Sequence, residues 1–380
     1  MAKINVRSPY FINVSDSNLE SAKLELIIYH GHANTSFGTS ITYTLSATAV
    51  ENNVNFEISS LIKDYINSKF NGDYPALNTS EQEATTIYVD YRVTDVISGT
   101  STARTPVLAE RAYDGYGYFE DGANPQLTQG YLQSNTTILK PDDAPLRIPI
   151  DPTNTTSVAF FSKGEQIYTF SPSGTYRAQD QILYISNEAA GVDSYEDRVL
   201  LDGGTYEDSS CLDKFLSQIG IYPADTVYVD GTEGVTVIDV QNIEECKFTP
   251  YKLTFINKFG AYQDLWMFKR SDLSISKTEE EFRSSIISNG SYNTYEHQYK
   301  TFNVNAKESL TLNTGFYPEE YNEVFKQMML SERIWIEYDN KTLPVKAKSN
   351  DFSFRTRLND KLINYTIEIE FAYDKINTVR

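Results

Sequence analysis

The chain has 380 residues, room for two or three domains, and sets 33 Lys and Arg against 52 Asp and Glu for a formal net charge of −19. That balance argues against a nucleic-acid-binding surface, which needs a basic stripe, but is compatible with an acidic lumen that lets DNA pass. The 28 Tyr and 20 Phe describe an aromatic, strand-rich folded chain and not a disordered one.

No apolar run is long enough to span a bilayer, and residues 1–20 lack the basic start and apolar core of a secretion signal. The expectation is a soluble protein made in a cytoplasm. Residues 1–122 predict an immunoglobulin- or fibronectin-like β-sandwich, with strand runs at 24–29, 40–49, 86–94 and 105–109. Between them one short helix is expected, capped by Ser59 or Ser60 and burying Ile58, Leu61, Ile62, Tyr65 and Ile66. The segment then packs Tyr113, Tyr116, Tyr118 and Phe119 among Gly115 and Gly117. Aromatics on a glycine-bearing loop serve as a sugar-stacking platform or as a hot spot for a protein partner; a hairpin tucking them under the sheet is the plainer alternative. Packing or subunit contact ranks above sugar binding.

Residues 123–152 change character, with Pro125, Pro141, Pro145, Pro149 and Pro152 and little apolar periodicity, and read as a linker or an arm reaching a neighbouring subunit. A second β domain is expected over 153–249. It holds a hairpin turned at Lys163-Gly164, a helix over 209–219 stopped by Gly220, and strands at 226–229 and 235–240.

Residues 250–380 predict an α+β assembly domain. A strand at 251–257 turns through Lys258-Phe259-Gly260-Ala261 to a partner at 265–268. Thr278 with Glu281 fits a capping box for a short helix through Phe282 and Ile286, and polar strands follow at 291–305 and 308–313. Pro318, Glu319 and Glu320 suit the first turn of a helix whose apolar face is Tyr321, Val324, Phe325, Met328 and Met329. Strands at 333–338, 344–354 and 362–373 come next, separated by Asp339-Asn340-Lys341 and Asn359-Asp360-Lys361. The last strand alternates Ile363, Tyr365, Ile367, Ile369 and Phe371 against polar residues. The fold expected is mainly β, of sandwich-like modules, ending in one amphipathic helix on an antiparallel meander. Trp266, Phe268 and Trp335 join Tyr113, Tyr116, Tyr118 and Phe119 as candidate interface residues.

Catalytic signatures are missing from the sequence. His30-Gly31-His32 has no third ligand at a metal-site spacing, His297 stands alone, and no nucleophile elbow, phosphate loop or zinc-hydrolase motif occurs. Asp202-Gly203-Gly204 and Asp230-Gly231-Thr232-Glu233-Gly234 fall short of calcium loops. Cys211 on an apolar helical face reads as packing, and a bridge from it to Cys246 is the lesser alternative. No catalytic residue, cofactor or metal is expected. A glycan-degrading enzyme with paired carboxylates is the third reading, after scaffold and adhesin.

Three stretches resemble structural proteins of tailed-bacteriophage virions, particularly those of phages infecting Bacteroidetes. They are Arg7-Ser8-Pro9-Tyr10-Phe11-Ile12; Leu253-Thr254-Phe255-Ile256-Asn257-Lys258-Phe259-Gly260 with Trp266-Met267-Phe268-Lys269; and the chain from Asn313-Thr314-Gly315-Phe316 onward. The last includes Leu330-Ser331-Glu332-Arg333-Ile334-Trp335, Leu343-Pro344-Val345 and Asn359-Asp360-Lys361-Leu362-Ile363-Asn364-Tyr365. The resemblance implies a non-enzymatic homo-oligomeric ring or sleeve in the tail, collar or baseplate. Its partners would be copies of itself and other virion proteins of the tail or neck, in a particle assembled in the host bacterial cytoplasm. The alternative is a host-surface or carbohydrate-binding adhesin.

Overall fold

The computed structural model describes residues 3–30, 34–66, 68–72, 86–142, 144–172, 182–185, 224–348 and 362–376. The chain is mainly β with a helix in its C-terminal region, as the patterning predicted. It divides into two compact units: Met1–Glu244 with Thr254–Asp264 and Glu320–Glu332, and Glu245–Leu253 with Leu265–Glu319 and Arg333–Arg380.

The first unit opens with β1 (Lys3–Asn5), β2 (Phe11–Ser15), β3 (Leu19–Tyr29), β4 (Tyr43–Thr48) and β5 (Asn53–Glu57). Helix α1 (Ser59–Lys63), β6 (Thr86–Ile97), β7 (Thr100–Ala103) and β8 (Val107–Tyr113) follow. One sheet runs β1-β8-β6-β3-β4, with β7 hanging off β6, and β2 pairs β5 separately. The alternating residues Leu24, Leu26 and Ile28 of β3 meet Val54 and Phe56 of β5 and Ile58, Ile62 and Ile66 around α1 in one core. That layering is sandwich-like. Helix α1 is held at its start by the Glu57 carboxylate, which accepts from the Ser59 and Ser60 side chains and the Ser59 N–H. Burial pushes that carboxyl up, but the serine hydrogen bonds outweigh it and hold it below the usual range.

The next layer uses β9 (Thr137–Pro141), β10 (Ile148–Ile150), β11 (Thr155–Ser162), β12 (Glu165–Phe170), β13 (Leu183–Ile185), β14 (Thr226–Gly231) and β15 (Gly234–Ile243). A five-stranded sheet runs β12-β11-β14-β15-β9, and β10 pairs β13. Ile148, Ile150, Val158, Phe160, Val227, Val229 and Ile238 share its core. Lys163 and Gly164 both take positive φ, so the expected two-residue turn is the hairpin type that matches strand twist.

The expected arm over 123–152 is instead part of this core. β9 pairs in parallel with β15, and Leu127, Leu132, Leu146, Ile148 and Ile150 are buried. Three of the prolines are used through their carbonyls: Pro149 O accepts from Leu132 N (3.0 Å), Pro141 O from Ala144 N (3.1 Å), and Pro125 O from the Asn5 side chain (3.0 Å). The helix predicted over 209–219, with Cys211, lies outside the described residues, as do His32, Asp202 and the turn at Asn359. Cys246 is exposed.

Strands β16 (Tyr251–Ile256) and β17 (Tyr262–Met267) each run from one unit into the other. The second unit adds β18 (Ser271–Arg283) and β19 (Tyr299–Pro318), and, after helix α2 (Tyr321–Leu330), β20 (Ile334–Tyr338), β21 (Lys341–Ala347) and β22 (Leu362–Phe371). Its strands lie in the order β20-β21-β22-β19-β18. Asp339 and Asn340 both take positive φ in a two-residue turn between Tyr338 and Lys341.

Two expectations here need correction. Residues 278–286 form no helix: β18 continues to Arg283, where Glu280 to Arg283 pair with Phe302 to Tyr299 of β19. Pro318 ends β19, and α2 starts at Tyr321. Of the elements expected together over 250–380, α2 groups with the first unit and β20 to β22 with the second. The polar partners of α2 explain this. Glu320 accepts from Thr137 N (2.7 Å) and the Thr136 hydroxyl (2.9 Å), and the Tyr321 hydroxyl accepts from Leu139 N (3.1 Å).

Candidate interaction surfaces

The aromatic loop after β8 is built by backbone contacts more than by its rings. Val6 N donates to Tyr113 O, Arg7 N to Gly115 O and Gly117 N to the Ser8 hydroxyl, which ties the loop to the N-terminal segment. On its other side Tyr116 N donates to Lys258 O at 2.8 Å. A Cβ on Gly115 would come within 2.6 Å of Lys258 O, and Gly260, at φ +76°, closes the same contact from the turn that the sequence predicted.

That turn is in turn fixed by Asn257, fully buried. Its side-chain oxygen accepts from Phe259 N and Ala261 N, and its amide donates to Leu132 O and Gln263. Gln263 continues to Asn135, so the amides form a chain of satisfied buried groups.

Of the four loop aromatics, Tyr113 is 0% exposed and packs with Leu127, Leu132, Phe259 and Ala261. It cannot touch a partner, which corrects its candidacy as an interface residue. Tyr116 is half-buried, with the Arg7 guanidinium 4.8 Å from its ring centre. Tyr118 donates its hydroxyl to Glu323 at 2.6 Å, and the Lys326 ammonium sits 3.7 Å over its ring. Burial and that acceptor push the Tyr118 phenol well above its ordinary value, so it stays a donor. Phe119 alone is wholly outside, at 101% exposure.

Two concavities flank the loop. One of about 350 Å³ is lined by Asn5, Tyr116, Asp121, Gln126 and Lys258. The other, an open groove of about 680 Å³, is bounded by Arg7, Phe11, Lys63, Phe119 and Leu330. The acids here are already engaged. Glu332 pairs with Lys63 (2.7 Å) and Arg7 (3.5 Å), and Asp121 accepts from Tyr118 N (2.7 Å). Among the described residues no group of three or more His, Cys, Asp or Glu could hold a metal ion, and no helix is long and apolar enough to cross a membrane.

Beneath the loop's parent strand lies a buried ionic cluster that sequence reasoning did not identify. Asp151 is paired with Lys3 and with Arg111 (3.3 Å), and Arg111 also donates to the Thr153 hydroxyl (2.7 Å). All three charged groups are buried. Burial pushes the Asp151 carboxyl up, but Arg111 and Lys3 outweigh it and hold it below the usual range.

In the second unit Phe268 is buried against Tyr317, ring centres 6.0 Å apart, and Trp335 is buried on β20. Both serve this chain's own packing, so they too lose their candidacy. Trp266 is half-buried, and its carbonyl accepts the Tyr317 hydroxyl (2.6 Å).

The surface that sequence reading missed is the β18–β19 hairpin. Only Ser271 of β18 is even half-buried; the other twelve positions are exposed. Leu273, Ile275 (64% exposed), Phe282, Tyr295 (80%), Tyr299 and Phe302 all face solvent. Toward the tip Asn289 and Gly290 take positive φ between the bridged Ser288 and Ser291, a tight two-residue turn. The sequence signal was there: alternating Leu273, Ile275 and the Asn289-Gly290 pair. No family model and no curated protein matches the chain.

Proposed function

We propose that this chain is a non-enzymatic structural protein of a tailed-bacteriophage particle, working in a homo-oligomeric ring or sleeve of the tail, collar or baseplate. The observation that carries the reading is the β18–β19 arm. An isolated exposed apolar residue is ordinary, but a run of them along one arm marks a surface used for association. Fully burying one such side chain stabilises by about 1.5–3 kcal/mol, so six or more supply ample energy for assembly. The virion assignment itself rests on the resemblance of the segments around Phe255, Trp266 and Trp335. The acidic balance suits a part that DNA passes without adhering.

Negative-stain imaging of the purified protein, alone and mixed with virion extract, tests this. Rings, sleeves or decoration of a defined particle position support it. A protein that stays single and binds nothing in the extract refutes it.

A second reading, glycan binding by an adhesin, is favoured by one observation: Phe119 stands fully exposed at the rim of the open groove. Glycan-array binding lost on Phe119→Ala would give that reading precedence.

A further inference from the structure

We propose that the β18–β19 arm docks on a second copy of this chain, head to tail, at a surface other than its own edge. This rests on the assembly reading above and adds the partner and the geometry of contact.

Area identifies the scale of the partner. Counting aromatic side chains at about 200 Å² each, the exposed parts of Phe282, Tyr295, Tyr299 and Phe302 with Leu273 and Ile275 offer on the order of 700 Å². Ile287 and Tyr292 near the tip add to it. A standard stable interface takes about 800 Å² from each partner. One arm therefore supplies close to a full subunit's share.

The placement of these residues identifies the mode. Leu273 and Ile275 project from one side of β18 and Phe282 from the other, because side chains alternate along a strand. Phe282 meets Phe302 edge-on, ring centres 5.9 Å apart, while Tyr299 lies opposite Arg283. An arm apolar on both sides is clasped and not merely stacked upon.

Among the described residues β18 is also the last strand of its sheet, with one row of backbone groups unpaired there. Pairing that edge with the same edge of another copy is opposed by its acidic run: Glu279 is paired with Lys277 of its own strand, but Glu280 and Glu281 leave adjacent like charges on each copy. A head-to-tail contact, in which each arm docks on a different surface of the next copy, keeps those carboxylates apart. Repeated, such contacts close into a ring when the rotation between copies allows.

The test is the mass of the full-length protein by sedimentation velocity over a concentration series, for the wild type and the double variant Phe282→Ser/Phe302→Ser. Both rings are surface-exposed, and thermal unfolding verifies that the variant is folded. The expected result is a wild-type assembly of three or more copies, with the apparent dissociation constant raised on the order of 100-fold in the variant. A folded variant that assembles like the wild type overturns the arm's role and leaves the assembly reading standing. A wild type that stops at two copies overturns the head-to-tail geometry. A single wild-type chain that binds another particle protein through the arm replaces the second copy by that protein. A single chain that binds nothing removes both proposals.

Discussion

The loop at 113–122 and the arm at 271–318 are both rich in aromatic residues, yet the chain uses them in opposite ways. In the loop, Tyr113 is core, and Tyr116 and Tyr118 are capped by Arg7, Glu323 and Lys326, so only Phe119 is left outside. In the arm almost every ring is outside, because the hairpin extends beyond the strands that could cover it. Composition is the same in kind; the supply of neighbours differs. What an aromatic does is decided by the layer behind it, which a local stretch of sequence does not contain.

That contrast can be broken by substitution, and the largest effects belong to the loop's foundations. Asp151→Asn leaves Lys3 and Arg111 buried with their counter-charge gone, and is expected to cost about 3–5 kcal/mol in denaturant unfolding. Tyr113→Ala falls in the same range, about 3–5 kcal/mol, by opening a cavity where a fully buried ring was. The Asp151 cluster also sets a pH dependence. Its folded carboxyl lies below the ordinary value, so its contribution is complete at neutral pH. It is lost as pH falls below about 4 and through the folded value. Unfolding midpoints measured from pH 6 to pH 3 should therefore fall more steeply in the wild type than in Asp151→Asn.

Smaller effects sharpen the comparison. Gly115→Ala forces a methyl to within 2.6 Å of the Lys258 carbonyl, and a loss of about 1–3 kcal/mol is expected in the same unfolding assay. Tyr118→Phe removes a hydrogen bond to a carboxylate, for about 1.5–3 kcal/mol before discounting for its partial exposure, so a value near 1 is expected. Phe119→Ala and Ile275→Ser should both stay within about 0.5 kcal/mol, because neither side chain is packed in the isolated chain. A loss above 2 kcal/mol at Ile275 would mean the arm is held by its own chain, and the contrast would collapse.

Much of the fold was legible locally. Turns carried by Lys163-Gly164 and Asp339-Asn340 and the alternation from Ile363 to Phe371 reappear where the pattern set them, and the helix with its apolar face of Tyr321, Val324, Phe325 and Met328 reappears with a later start. The failures have physical causes. Thr278 and Glu281 satisfied a capping box within four residues, but the strand ladder pairs Thr278 with Asn305 and Glu280 to Arg283 with Phe302 to Tyr299 of β19, about 16 to 27 residues further along the chain. The segment 123–152 was judged by its prolines, although Leu132, Leu146, Ile148 and Ile150 were the residues that mattered. For the candidate surfaces, Phe119 was legible as an exposed aromatic. Phe268 and Trp335 were not separable from it, because burial depends on strands paired from elsewhere in the sequence.

The most direct test of the central claim, that the exposed arm exists to be covered by another copy, is the solution mass of the wild-type chain. The account predicts a species several times the 43.2 kDa of one chain that falls toward 43.2 kDa when Phe282 and Phe302 are both replaced by serine. A wild-type protein that remains at 43.2 kDa up to the highest attainable concentration would contradict it.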